Sequence, residues 1–302
     1  MNELSLAPIS ISVYNRLQHL KLCLDSIKNN SLAKHTEIYI FSDAPKKGDE
    51  NEVGKVREFC KSLTGFKKVH LHCQPFNNHK KNIFDARTIP LNVHGRSIFL
   101  EDDNVVSQNF LKFMNEALEL YAHNPSILAI SGYSPPVNQR ENTKKDVYLS
   151  KIFSAWTYAT WSHKKVLDFS RVSKPYNDLK KNGLRKKVDS VHPSLAKSLK
   201  KIDEDLHYAP DQVLTYALIK NDLYQIKPVE TLVRNIGHDG TGINCGVSGH
   251  FNQIIFQGTH DPSLENLNYI NEIDRKQYDF FYPSLLLKLQ RRFISFKKNV
   301  FG

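Results

Sequence analysis

The 302 residues include only four cysteines, Cys23, Cys60, Cys73 and Cys245, with no CxxC pair and no zinc-ligand spacing. That excludes a disulfide framework and a structural zinc, and the four read as small buried apolar residues in a reducing compartment. Residues 1–8 lack a basic segment followed by a long apolar one, and no later apolar run is long enough to cross a bilayer. The expected location is the cytoplasm. There are no internal repeats, and acidic residues are in the minority: 42 Lys and Arg against 31 Asp and Glu leave a net charge of +11. Such a balance calls for an anionic partner: nucleic acid, an acidic membrane face or a phosphorylated small molecule. The basic residues crowd into Lys180-Lys181, Arg185-Lys186-Lys187, the 197–201 run, Arg291-Arg292 and Lys297-Lys298, apart from most of the aromatics. A nucleic-acid groove would interleave the two, so no specific nucleic acid is expected.

What is present is organised around Ser97-Ile98-Phe99-Leu100-Glu101-Asp102-Asp103-Asn104-Val105-Val106, an apolar run that ends in three consecutive carboxylates. Like charges side by side are costly to desolvate unless a cation or donors compensate them. In open α/β sheets ligands bind beyond the carboxyl ends of strands, and hard divalent cations that carry phosphates take carboxylate oxygens. A metal-bridged nucleotide diphosphate fits there; a solvated acidic turn that caps the next helix is the plainer reading.

The flanking chain alternates strand and helix. Residues 9–13 alternate as a strand, and Leu17, Leu20, Leu24 and Ile27 recur at helical spacing. Residues 37–43 form a second strand ending in an acid, Val53, Val56, Cys60 and Leu63 one face of a second helix, 69–73 a third strand, and 83–91 a short helical stretch. This is the pattern of a parallel sheet with crossover helices. Ser107 can cap a helix with Phe110, Met114, Ala117, Leu118 and Tyr121 on its apolar face, and 127–130 is a buried strand. Beyond it, 147–153 reads as a strand, 156–161 as an aromatic cluster, 173–205 as a mobile insertion or a solvated loop, 211–220 as a helix, and 224–226 as a strand before the glycine-rich 237–242.

Taken together, Pro8-Ile9-Ser10-Ile11-Ser12-Val13-Tyr14-Asn15-Arg16, Glu101-Asp102-Asp103, Ile130-Ser131-Gly132-Tyr133, Trp156-Thr157-Tyr158-Ala159-Thr160-Trp161, Asp211 with its helix, and Asn235-Ile236-Gly237-His238-Asp239-Gly240-Thr241-Gly242 resemble a bacterial glycosyltransferase of the GT-A fold, family 2-like. The resemblance spans about residues 8–246. It differs from the usual pattern at Thr157, Tyr158, Pro210 and His238. It implies an α/β, Rossmann-like GT-A fold with a mostly parallel central sheet, plus a C-terminal helical tail. The implied organisation is a nucleotide-sugar-binding half (1–125), an acceptor-binding and catalytic half (126–246) and an extension (247–302).

The resemblance further implies that Val13, Asn15, Arg16, Asp43, Asn82, Glu101 and Asp102 bind the donor, that Asp103 binds Mn2+ or Mg2+, and that Asp211 is the base. Trp156 and Trp161 would line the acceptor site, although aromatics also simply fill cores. From the residues themselves, Asp43 can accept from a uracil imide or ribose hydroxyls, or can form the turn before Ala44-Pro45. Arg16 can meet phosphate or pair on the surface, and Asn77 reads as a turn residue. His238 and His260 are candidate late metal ligands. The tail carries Leu285, Leu289, Phe293, Phe296 and Val300 on one helical face and Lys288, Arg291, Arg292 and Lys298 largely opposite, the pattern of an interfacial helix on an anionic membrane, or of a terminal helix docked on the body. The leading expectation is a metal-dependent, inverting transfer of a sugar from a nucleoside-diphosphate sugar, a UDP-sugar first, to a glycan or lipid-linked glycan hydroxyl. It would serve cell-surface polysaccharide or lipopolysaccharide assembly, in the cytoplasm or peripherally on the inner face of the membrane. A nucleotidyltransferase would show a glycine-rich basic loop where Tyr14-Asn15-Arg16-Leu17 stands. A non-catalytic polyanion-binding module is the alternative from charge alone.

Overall fold

The computed structural model describes residues 5–164, 168, 172–206, 209–242, 247–263 and 268–283. Strand β1 (Ile9–Val13) buries Ile9, Ile11 and Val13 in the main core, and the opposite face presents Ser10, whose hydroxyl donates to Ala86 O at 2.5 Å. Helix α1 (Leu17–Lys28) buries Leu20, Cys23, Leu24 and Ile27, the spacing of a single helical stripe. Next come β2 (Glu37–Ser42), α2 (Glu50–Lys61), β3 (Lys68–Cys73), α3 (His79–His94) and β4 (Arg96–Glu101). Helix α3 is longer than the expected 83–91 stretch and carries Pro90 inside it. It ends where Gly95 takes a left-handed φ of 73°, a conformation open to glycine without strain.

Beyond the acids the chain makes β5 (Asn104–Val106), α4 (Phe110–Leu120), β6 (Ile127–Ile130), β7 (Val147–Ser150) and β8 (Thr157–Trp161). Asn109, not Ser107, stands at the N-cap of α4; Ser107 instead shapes the preceding turn, its Oγ accepting from Asn109 N at 3.3 Å. Then follow α5 (Pro175–Lys181), α6 (Arg185–Val191), α7 (Leu195–Asp203), α8 (Pro210–Asn221), β9 (Tyr224–Pro228), β10 (Val233–Asn235) and α9 (Asn271–Phe281).

The fold is α/β. One eight-stranded sheet runs in the order β3-β2-β1-β4-β8-β6-β9-β7, and β5 and β10 form a separate antiparallel pair. The first four strands are mutually parallel, β8 is antiparallel to both β4 and β6, β9 is parallel to β6, and β7 is antiparallel to β9.

The 173–205 segment is not the mobile insertion or solvated loop expected from its basic residues. It folds as α5, α6 and α7 around Leu179, Val188, Val191, Leu195 and Leu199, which pack with Tyr216 and Ile219 of α8. The apolar positions do recur at helical intervals, but Gly183 and His192-Pro193 break them into pieces too short to stand out. Of the cysteines, Cys23 and Cys60 are buried as expected, but Cys73 is exposed; Cys245 and the 285–302 tail lie outside the described residues. Among the described residues no helix is long and apolar enough to cross a membrane.

Candidate active site

Parallel strands deliver the chemistry to one edge. The C-terminal ends of β1, β2 and β4 carry Tyr14-Asn15-Arg16, Asp43 and Glu101-Asp102-Asp103, and β6 brings Ser131-Gly132-Tyr133 to the same edge. Because β8 runs the other way, pairing Thr157 with Leu100 and Trp161 with Arg96, Trp156 lies at the acid edge and Trp161 at the far one. Trp161 is therefore no part of this site: it is buried, and its indole Nε1 donates to Leu118 O at 3.0 Å. Trp156 accepts at its carbonyl from Glu101 N at 3.3 Å and from Asn104 Nδ2 at 2.7 Å, and its ring meets Tyr133 at 4.4 Å and His238 at 5.7 Å.

Asp102 and Asp103 are 6% and 5% exposed, and both accept from Arg16 Nη2, Asp103 at 2.8 Å. Asn235 Nδ2 donates to the other oxygen of Asp103 at 2.9 Å, and Ile236 N to its carbonyl at 2.8 Å. One guanidinium does not balance three carboxylates. Burial, with Asp103 adding to it, pushes Glu101 up to about 8; burial likewise pushes Asp102 up to about 6 against the pull of Arg16. Burial lowers the Arg16 guanidinium, but Asp102 and Asp103 outweigh it and hold the charge in place. The cluster thus has an excess of negative charge that a divalent cation would relieve. Glycine is required at 237 for the backbone to pass this close to the cluster, since a Cβ there would sit 2.1 Å from Asp103 Oδ2. Among the described residues no three His, Cys, Asp or Glu side chains converge as a complete metal cage, so Asp103 would share a cation with ligand oxygens.

Three neighbours of the cluster were not singled out from the sequence. Asn235 and Gly237 were read only as parts of a motif, and their roles depend on β10 pairing with β5, which sets Asn235 opposite Asn104. His19, on α1, pairs with Asp239 at 3.0 Å and so ties the glycine-rich segment to the helix that starts beside Arg16. His238 stacks on Phe251 at 4.1 Å; burial lowers its ring, with Asp103 pulling the other way. His260 is not placed as a metal ligand: its Nε2 meets Glu230 O at 2.8 Å, and its ring lies against Phe113 and Phe256.

On the β1–β2 side, Asp43 takes the turn role. Its carboxylate accepts from Ala44 N and Asn78 N, each at 2.9 Å, and from Asn77 Nδ2 at 3.2 Å. Asn82 is buried beneath the edge, bridging Ser12 Oγ and Phe41 O at 2.9 Å each, so it supports the strands from below. Val13 is buried and accepts at its carbonyl from Asp43 N, while Asn15 is partly exposed at the edge. Asp211 lies in the first turn of α8, and its carbonyl accepts from Thr215 Oγ1, which in turn accepts from Phe153 N at 3.0 Å. Helix α8 leads by a short turn into β9, which is parallel to β6, so the start of α8 faces the edge where the acids lie.

No protein-family model and no curated protein matches the chain. Among solved structures it is similar to TarS of S. aureus, at 12% identity over 78% of this chain and 37% of that one, with a TM-score of 0.43. It is similar also to GalNAc-T7 with UDP, GalNAc and Mn2+, at 13% identity, 76% and 43% coverage and a TM-score of 0.46. A third is the mannosyltransferase PcManGT of Pyrobaculum calidifontis with GDP-Man and Mn2+, at 15% identity, 54% and 45% coverage and a TM-score of 0.38. The chain spans less than half the length of each of these.

Proposed function

We propose that this chain is a metal-dependent glycosyltransferase that moves a sugar from a nucleoside-diphosphate donor, a UDP-sugar first, to a hydroxyl of a glycan or lipid-linked glycan. The observation that carries the reading is the under-neutralised cluster of Glu101, Asp102 and Asp103 at a strand edge, where the Arg16 guanidinium meets two of the three acids and Gly237 passes close to Asp103. A donor diphosphate alone would be repelled there. Asp103 would hold a Mn2+ or Mg2+ ion, which would supply the positive charge that makes the diphosphate a competent leaving group.

The chain's own residues do the rest. The loop after β1 and the loop held by Asp43 flank the nucleotide, Asp102 faces the ribose, and the Arg16 guanidinium, bonded to Asp102 and Asp103, reaches a phosphate oxygen by exchanging one of them. Trp156 offers an indole face to the apolar side of a sugar ring. Asp211 acts as general base: its carboxylate takes the proton of the incoming hydroxyl, whose oxygen bonds to the anomeric carbon as the bond to the diphosphate breaks, inverting that centre. The basic residues and apolar stripe of residues 285–302 support a lipid-linked acceptor on an anionic membrane and a place in cell-surface polysaccharide assembly.

The test begins with nucleotide-sugars ranked by Mn2+-dependent thermal stabilisation. With the donor so found, Asp211→Asn should keep nucleotide binding and lose turnover by roughly a hundredfold or more. Near-normal turnover, or a product that retains the donor's anomeric configuration, would refute the base and the inverting course.

A further inference from the structure

Past the end of β6 the chain turns at Pro135-Pro136 and crosses in front of the end of β9. A cleft of about 350 Å³ opens there between the 135–140 loop, residues 229–231 and the 253–256 segment. The volume is in the range of sites for small molecules, roughly 300–1,000 Å³. Successive strands lie about 5 Å apart, so a cleft at the ends of β6 and β9 sits on the order of 10–15 Å along the edge from the end of β4. It lies on the side away from β1 and β2, the donor side of the proposed transferase.

The lining has a definite chemistry. Pro135, Pro136 and Phe256 give flat apolar surface, and Ile254 stands 93% exposed beside them. Gln139 is 1% exposed, yet neither its amide oxygen nor its amide nitrogen has a hydrogen-bond partner. A buried amide in that condition loses about 1–3 kcal/mol of hydration for each group left unmet, and Gln139 belongs to the wall of the cleft. Among the described lining residues the one positive group is already paired: Arg140 Nη2 meets Asp146 at 2.9 Å and Glu230 at 3.0 Å, which also links the loop to the residues after β9. An anion would find no free cation there. Apolar plates, an unmet amide and cancelled charge together suit a molecule with C–H faces and a ring of hydroxyls.

We infer that the cleft formed by Pro135, Pro136, Gln139, Ile254 and Phe256 is a binding subsite for a neutral saccharide unit, the part of a glycan acceptor distal to the reacting hydroxyl. Its assignment to the acceptor rests on the transferase reading, but its affinity for saccharide does not. Arg140 ties the 135–140 loop to Asp146 and Glu230 before any ligand arrives, while the Gln139 amide, which is buried, must turn outward to meet a hydroxyl. Two side chains are open to substitution without loss of the fold. Ile254 is on the surface, and replacing Gln139 with Leu removes an unpaired buried amide in favour of an apolar group of similar size.

The experiment is saturation-transfer NMR and titration of the full chain with maltose, lactose, cellobiose and N,N′-diacetylchitobiose, with glucose 6-phosphate as the anionic control. At least one neutral disaccharide should show saturation transfer, and Ile254→Asp and Gln139→Leu should each weaken it about tenfold, the effect of one lost hydrogen bond or apolar contact. UDP binding with Mn2+, measured on the same variants, should be unchanged. No transfer from any of the four disaccharides, wild-type affinity in both variants, or tighter binding of glucose 6-phosphate than of every disaccharide would overturn the subsite. Variant-sensitive saccharide binding by a chain that fails to bind nucleotide would keep the subsite and sink the transferase. Nucleotide binding without saccharide binding would do the reverse.

Discussion

Asp43 and Gln139 are both polar, both almost fully buried and both at the same edge of the sheet, yet their surroundings treat them in opposite ways. Asp43 accepts from two backbone amides and one side-chain amide, and Arg57 bonds Asp43 O and Gln74 O, each at 3.1 Å, closing the loops around it. The Gln139 side chain accepts and donates nothing, and on the Trp156 side of the edge Asn104 Oδ1, Tyr133 Oη, Thr157 Oγ1 and His238 Nε2 are also buried without a partner. The β1–β2 side is not free of such atoms, since Asn82 Oδ1 and Arg87 Nε join them, but they lie beneath the edge rather than along it. The β1–β2 side is a framework whose polar groups along the edge are met by its own residues. On the other side, around Trp156 and beyond, several buried polar atoms have no partner among the described residues.

That contrast can be broken by substitution. Asp43→Ala has the largest expected effect, a loss on the order of 3 kcal/mol, because it strands two backbone donors and frees the loop at 77–78; denaturant unfolding measures it. Next comes pH. Glu101 titrates near 4.5 when unfolded and about 8 when folded, and Asp102 rises from 3.8 to about 6. Between those values these two carboxyls keep protons in the folded chain that they lose on unfolding, so their contribution to stability should fall as pH rises from about 4 to 8 in the absence of cations and recover when Mn2+ is added, an effect read as the difference from Glu101→Gln. Thr157→Val should do least, leaving stability unchanged or raising it by up to about 1 kcal/mol, since the hydroxyl removed has no partner. A clear loss in Thr157→Val would mean the far side is as self-sufficient as the near one.

How much of this was legible in the sequence follows the same division. The parallel strands and crossover helices of the first hundred residues could be read from periodicity, because each element is long enough to carry its own stripe. The place of the acids at a strand end was legible from the apolar run before them; the triplet alone reads more plainly as a solvated turn, and the segments that flank it point to the other reading. The helices α5, α6 and α7 were not, since each has fewer than ten residues and a basic outer face, and only their joint packing on α8 reveals a core. Trp161 shows a different limit. Composition ties it to Trp156, but an antiparallel strand carries the two indoles to opposite ends of the sheet, and strand direction is not written in the residues. Asn235 reaches Asp103 only through the pairing of β10 with β5, a contact between residues 132 positions apart.

The central claim is that the cluster of Glu101, Asp102 and Asp103 awaits a cation that brings the donor diphosphate with it. Calorimetry of UDP binding with and without Mn2+, in wild type and Asp103→Ala at pH 6 and pH 8, addresses it directly. Wild type should bind at least about tenfold more tightly with Mn2+, more so at pH 8 where protons compete less for Glu101 and Asp102 than at pH 6, and Asp103→Ala should erase the difference. Equal affinity with and without Mn2+ in the wild-type chain would contradict the account.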